Sequence, residues 1–133
     1  SLTGMSFATR RDHIVRAALE AMAHQTHDLK TAFAADGADW ARLRIDGGMA
    51  ANDWIAQDLA DMLAIPVERP AFVETTAMGA AMLAGVGIGW FASLEEAAAM
   101  RGATHAFEPA LDGERRTGRL EGWAVAVRGV LGE

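Results

Sequence analysis

The stretch Ile45-Asp46-Gly47-Gly48-Met49-Ala50-Ala51-Asn52 has the residue types and spacing best suited to chemistry. Two glycines directly after a strand let a ligand approach the backbone with no Cβ in the way. The helix that follows offers unpaired N–H groups and a positive dipole end, which suit a phosphate or a polar base edge. Asn52 can cap that helix or donate to a nucleotide. Taken alone, the same residues also fit a plain tight turn and a plain N-cap. The glycine spacing and the lysine of a Walker A loop are absent, and so is the dinucleotide fingerprint.

Other reactive side chains are less suggestive. His24 and His27 lie three apart and share a helix face. No third ligand is placed by the sequence and there is no His-Glu-x-x-His pattern, so no metal site is expected. His13 and His105 read as solvated. Asp58 and Asp61 read as the solvated face of a helix, and Glu95-Glu96 as first-turn acids favoured by the helix dipole. No carboxylate pair has a catalytic spacing, and no serine or threonine sits in a nucleophile elbow. Trp40, Trp54, Trp90 and Trp123 read as packing residues.

Composition narrows the classes further. The 133 residues fit one domain and carry a net charge of −6, from 18 acidic and 12 basic side chains. That balance argues against nucleic acid and against an anionic membrane surface. The absence of cysteine excludes disulfides, thiol catalysis and a cysteine-ligated metal. No apolar run reaches the ~18 residues of a membrane span; Thr75 to Trp90 is the longest candidate. The chain starts Ser1-Leu2 without a methionine or a secretory signal. We therefore expect a piece of a longer chain, with Ser1-Leu2 and Glu133 as cloning remnants.

The elements that must hold these residues follow from periodicity. Thr9 and Asp12 suggest a cap for a long helix with a stripe through Val15, Leu19, Met22, Leu29 and Phe33, ending at Gly37. In Trp40–Ile45, Leu43 and Ile45 alternate with Arg42 and Arg44, the pattern of a strand with one wetter face. A helix over Asn52–Ala64 presents Ile55, Leu59, Met62 and Leu63 on one side, and Pro66 stops it. Ile65–Pro70, pinned by two prolines, reads as a short edge strand. A small-residue helix spans Thr75–Gly85, and Ser93 with Glu96 opens a short one to about Met100. Gly102–Gly113 reads as surface loop. The last helix, Glu114–Leu131, places Leu120, Trp123, Val127 and Val130 on one face. There is no internal repeat. Strand–turn–helix alternation in the middle argues for an α/β layer in which helices cover a small sheet, a sheet too small to be complete.

Several stretches, in register, resemble one family. Ile14-Val15-Arg16-Ala17-Ala18-Leu19-Glu20 followed by Gln25-Thr26 resembles the first long helix in the C-terminal part of the glycerol kinases, which belong to the FGGY carbohydrate kinases. Leu43-Arg44-Ile45-Asp46-Gly47-Gly48 is similar to their adenosine-binding motif. Val67-Glu68-Arg69-Pro70 resembles a segment typical of glycerol kinases within the larger group. Glu74–Ala81 and Leu83-Ala84-Gly85 resemble the small-residue helix that follows. Order and spacing agree from about Leu2 to Val130. His24 stands where the family commonly has an aromatic residue, His27 where it has arginine, and Met82 where tyrosine is frequent. The stretch from Pro109 to Arg119 matches poorly.

The resemblance implies a partial actin-like (ribonuclease H-like) ATPase domain, residues 1–133 being the C-terminal part of the second, nucleotide-side domain. It implies that Gly48 lies against the nucleotide, that Asn52 hydrogen-bonds it, and that Asp46 and Gly47 shape the turn. It implies ATP, with Mg²⁺ arriving on the nucleotide, and glycerol as substrate of the whole enzyme in the cytoplasm. The carboxylate that takes the glycerol proton, the glycerol-binding side chains and both phosphate loops lie upstream in that family. No catalytic residue is therefore expected in this stretch, which needs its missing N-terminal domain as partner and is expected to be inert alone. A homo-oligomer is left open. The alternatives are another FGGY sugar or polyol kinase, a non-catalytic actin-like nucleotide-binding module, or an α/β domain with no ligand.

Overall fold

A computed structural model describes residues 1–132; Glu133, expected as a remnant, lies outside the described residues. The elements run α1 (Arg11–Ala35), β1 (Leu43–Arg44), α2 (Asp53–Leu63), β2 (Val67–Pro70), α3 (Thr75–Gly87), α4 (Leu94–Ala97), β3 (Thr104–Phe107) and α5 (Gly113–Leu131). Turns of 3₁₀ helix cover Gly48–Ala51 and Ala98–Arg101.

The sheet has three strands in the order β1-β2-β3, with β1 parallel and β3 antiparallel to β2. This corrects two sequence expectations. The proline-pinned segment is the central strand, not an edge. Pro66 precedes the strand and only contributes its carbonyl, which accepts from Leu43 N–H at 3.0 Å. Pro70 closes the strand beyond the two-residue ladder with β1, so neither proline removes a bond that pairing needs. The segment expected as surface loop contains β3, in which only Phe107 is buried. Pairing of Val67 with Phe107 and Glu68 with Ala106 recruits a stretch with little strand pattern of its own.

Side chains alternate across the sheet as a strand requires. Leu43, Ile45, Val67 and Phe107 face α1 and α2, where Ile55, Leu59, Met62 and Leu63 join Ala23 in the core. Arg44, Glu68 and Pro70 face the other way, toward α3. The expected wetter face of β1 is therefore real: both arginines bond Glu68, Arg42 at 2.7 Å and Arg44 at 3.0 Å. α3 bears no charged residue, and Leu83, Ile88 and Trp90 on and beyond it are exposed.

The caps follow the sequence at α2 and α4, and Asp112, expected only within a surface loop, caps α5 in the same way. Asn52, Ser93 and Asp112 each accept from a backbone N–H of the turn they open. For α1 the N-cap is Arg10, not Thr9, because the Thr9 hydroxyl accepts from Ser6 N–H in a preceding turn at 2.9 Å. Gly85 lies within α3 instead of ending it. A Cβ there would stand 2.6 Å from the Phe91 ring, so the glycine serves close packing. Among the described residues, no helix is long and apolar enough to cross a membrane.

Candidate functional site

The turn from β1 to α2 is built by local chemistry. Gly47 has φ +80° and ψ 174°, a backbone region open almost only to glycine. Its N–H donates to Val73 O at 3.0 Å, and its carbonyl accepts from Ala50 N–H at 3.0 Å. The Thr75 hydroxyl donates to the Asp46 carboxylate, which ties the turn to the start of α3. Gly48 needs no such freedom, since its φ is ordinary. A Cβ there would meet no atom within 4 Å, so the backbone at Gly48 is open to an incoming group. Asn52 Oδ1 accepts from Trp54 N–H at 3.0 Å and caps α2. Its amide nitrogen has no protein partner among the described residues, and both roles read from the sequence are compatible.

The four expected residues therefore share one short, exposed segment, with different duties. Asp46 and Gly47 hold the turn, Gly48 offers bare backbone, and Asn52 joins the turn to the helix. Asp46 also lies on the walls of two clefts. One, about 620 Å³, runs between the sheet and α3 past Arg44, Glu68, Phe72, Thr75 and Arg101. The other, about 570 Å³, lies on the α1 side beside Met22, Leu29, Met49 and Leu59. Neither is lined by Gly48 or Asn52. The turn therefore presents an open surface, and neither cleft encloses its glycine backbone.

Sequence reasoning missed Arg69. From β2 its guanidinium donates to Ala50 O at 2.8 Å and meets the Asp53 carboxylate at 2.8 Å. It also rests 5.1 Å from the centre of the Phe107 ring. Its position on the core-facing side of β2, where an arginine is unusual, was the only signal.

Two further expectations are corrected. Asp58 is not solvated: it is buried and takes both terminal nitrogens of Arg119, at 2.6 and 3.0 Å. Asp58 holds the guanidinium above its ordinary pKa, against the opposing effect of burial. Asp61 is half-buried and accepts from Ala110 N–H at 2.7 Å, Leu111 N–H at 3.2 Å and the Gln57 amide at 2.9 Å. Both aspartates fasten the segment after β3 and α5 to α2.

His24 is buried, not at a ligand site. Its ring nitrogens lie 2.8 Å from Glu20 O and 3.3 Å from Arg119 O, and its ring lies 5.2 Å from that of Trp123. His27 is half-buried, and burial pushes its pKa below the ordinary value. Among the described residues, no group of three or more His, Asp or Glu is placed to hold a metal ion. Trp40, Trp54 and Trp123 are half-buried packing residues as expected, whereas Trp90 is exposed.

Comparison with known proteins agrees with this architecture. Residues 1–88 match the C-terminal domain of the FGGY family of carbohydrate kinases. Glycerol kinase from Coxiella burnetii is 46% identical over 131 residues, and that from Rhodospirillum centenum is 48% identical over 128. The chain is covered to 98% and 96% in these matches but spans only 26% of either relative. A crystal structure of Plasmodium falciparum glycerol kinase with ADP superposes with a TM-score of 0.80 at 34% identity. That match covers 96% of this chain and 26% of the other.

Proposed function

Because the chain belongs to the FGGY family of carbohydrate kinases, we propose that it is the C-terminal part of the nucleotide-side domain of an ATP-dependent glycerol kinase, with Asp46, Gly47, Gly48 and Asn52 forming its share of the adenosine site. The fold is that of the actin-like sugar kinases, and identities of 46–48% to glycerol kinases favour glycerol over other polyols. The observation that carries the site is the open backbone at Gly48, held in place by a glycine-only turn and followed by a capped helix with a spare amide.

In this reading the chain's residues bind and orient. Gly48 lets the adenosine lie against the main chain, and the Asn52 amide donates to it. Asp46 and Gly47 keep that surface rigid through Thr75 and Val73. Phosphoryl transfer rests on positioning and on neutralising charge around the γ-phosphate. Mg²⁺ would arrive on the nucleotide. The proton-accepting carboxylate and the phosphate loops would come from the upstream polypeptide, which would also cover Leu83, Ile88 and Trp90. The same reading sets the enzyme in the cytoplasm.

Titration of ADP and ATP into the 133-residue chain, followed by heteronuclear NMR, tests the site. Shifts clustered at Asp46–Asn52 and abolished by Gly48→Val support it. The same titration on the full polypeptide, with glycerol phosphorylation as the second readout, separates a half-site too open to bind from a wrong assignment. Nucleotide binding there with no change in Gly48→Val would sink the site.

A further inference from the structure

We propose that Arg69 is the positioning residue of the adenosine turn, acting through the Ala50 carbonyl and the Asp53 carboxylate. This rests on the site assignment above and adds to it the part that keeps the turn in place. The Gly47–Asn52 segment is anchored from two directions. On the α3 side, Thr75 and Val73 hold Asp46 and Gly47. On the core side, Arg69 donates to the Ala50 carbonyl at 2.8 Å, the only side-chain hydrogen bond to a backbone carbonyl of Gly48–Ala51 among the described residues.

Each contact of Arg69 has a separate purpose. Ala50 is buried, so its carbonyl would carry a desolvation cost without a donor. Asp53 is the first residue of α2, directly after Asn52, and is exposed on its own. The guanidinium fork spans both acceptors at once, which a single ammonium point charge does not. Its plane is backed by Phe107, itself in the core, so the fork is fixed to the sheet and not to a mobile loop. The turn therefore inherits the rigidity of β2 and β3. A ligand surface made of bare backbone depends on that, because it has no side chain that can adjust to a displaced ligand.

The test uses the full polypeptide that carries this chain, with Arg69→Met, Arg69→Lys and Asp53→Asn. In Arg69→Met we expect the ADP dissociation constant by calorimetry and the KM for ATP to rise about tenfold. The KM for glycerol and kcat should stay within about twofold. Arg69→Lys should recover part of the loss, and Asp53→Asn, which keeps the Ala50 bond, should cost about threefold. Amide hydrogen exchange at Gly47–Asn52 should accelerate in Arg69→Met without acceleration in α5. A folded Arg69→Met with unchanged ADP affinity and unchanged exchange at the turn overturns the proposal. Uniform loss of stability with an unchanged KM for ATP does so as well. Should the wild-type polypeptide bind no nucleotide, the function fails, and exchange at the turn alone decides whether Arg69 positions it. Should Arg69→Met not fold, Arg69→Lys and Asp53→Asn carry the same readouts.

Discussion

At its N-terminal end α2 starts beside Gly47, Gly48 and Asn52; further along the same helix Asp58 meets Arg119. The two regions use polar groups in opposite ways. At the turn, groups are left available: Gly48 faces open space, and the Asn52 amide nitrogen has no protein partner among the described residues. At the seam of α5 with α1 and α2 they are consumed. Asp58 is 5% exposed with both oxygens bonded, while His24 has a carbonyl at each ring nitrogen. Even so the seam is not perfectly matched, since Arg119 Nε is buried without a partner. A seam has to bind only itself, so every satisfied group adds to stability. The turn instead leaves some groups unsatisfied, as the proposed nucleotide site requires, and is stiffened from outside by Thr75 and Arg69.

The difference is best broken at the seam. Asp58→Ala strands a buried guanidinium and should destabilise the chain by about 3 kcal/mol, measured by urea denaturation. Nucleotide affinity measured well below the new midpoint should not change. Gly47→Ala forces an L-residue into a region reserved for glycine and should cost about 2 kcal/mol, again by denaturation. Its neighbour separates the two regions most clearly. Gly48→Val should leave the unfolding midpoint where it is, because its Cβ meets nothing. It should weaken nucleotide binding at least tenfold, about 1.4 kcal/mol, by calorimetry.

Asn52 sharpens the contrast within the site. Asn52→Ala removes a cap worth about 1 kcal/mol together with the amide donor. Asn52→Asp keeps the cap and removes only the donor, so it should lose affinity without losing stability. The smallest effect belongs to Glu68, whose pKa lies below its ordinary 4.5 because Arg44, then Arg42, hydrogen-bond the carboxylate. A lowered folded-state value contributes stability above the unfolded pKa, and that contribution fades as pH falls through the lowered value. Glu68→Gln should therefore show a small thermal-melting deficit at pH 7 that shrinks as the pH falls below the ordinary carboxylate range.

What could be read in advance was local. The caps at Asn52 and Ser93 depend on residues two or three apart, and the structure keeps them. The α2 stripe and the alternation of Leu43 and Ile45 with two arginines were legible for the same reason. β3 was not, because Thr104–Phe107 becomes a strand only through a partner far back in the chain. Asp58 and Asp61 were misread because their partners lie 61 and about 50 residues away, beyond any helical period. Arg69 stands in a segment that resembles the glycerol kinases, but spacing along the chain assigns it no contact. Its task is visible only when Ala50, 19 residues earlier, is brought beside it.

The sequence by itself determined the pieces of the proposed site: a glycine pair after a strand, an asparagine at the head of an amphipathic helix, and an order of motifs that resembles one kinase family. These are matters of backbone freedom and short-range hydrogen bonding, which act over a few residues wherever they occur. Only the tertiary structure decided that the proline-bounded segment is the centre of the sheet. It also decided that an apparent surface aspartate is a buried anchor, and that an arginine from the central strand supports the turn. Each of these depends on which distant groups share a low-dielectric neighbourhood. Burial makes a polar group either costly or firmly paired, and burial is set by packing, not by spacing along the chain.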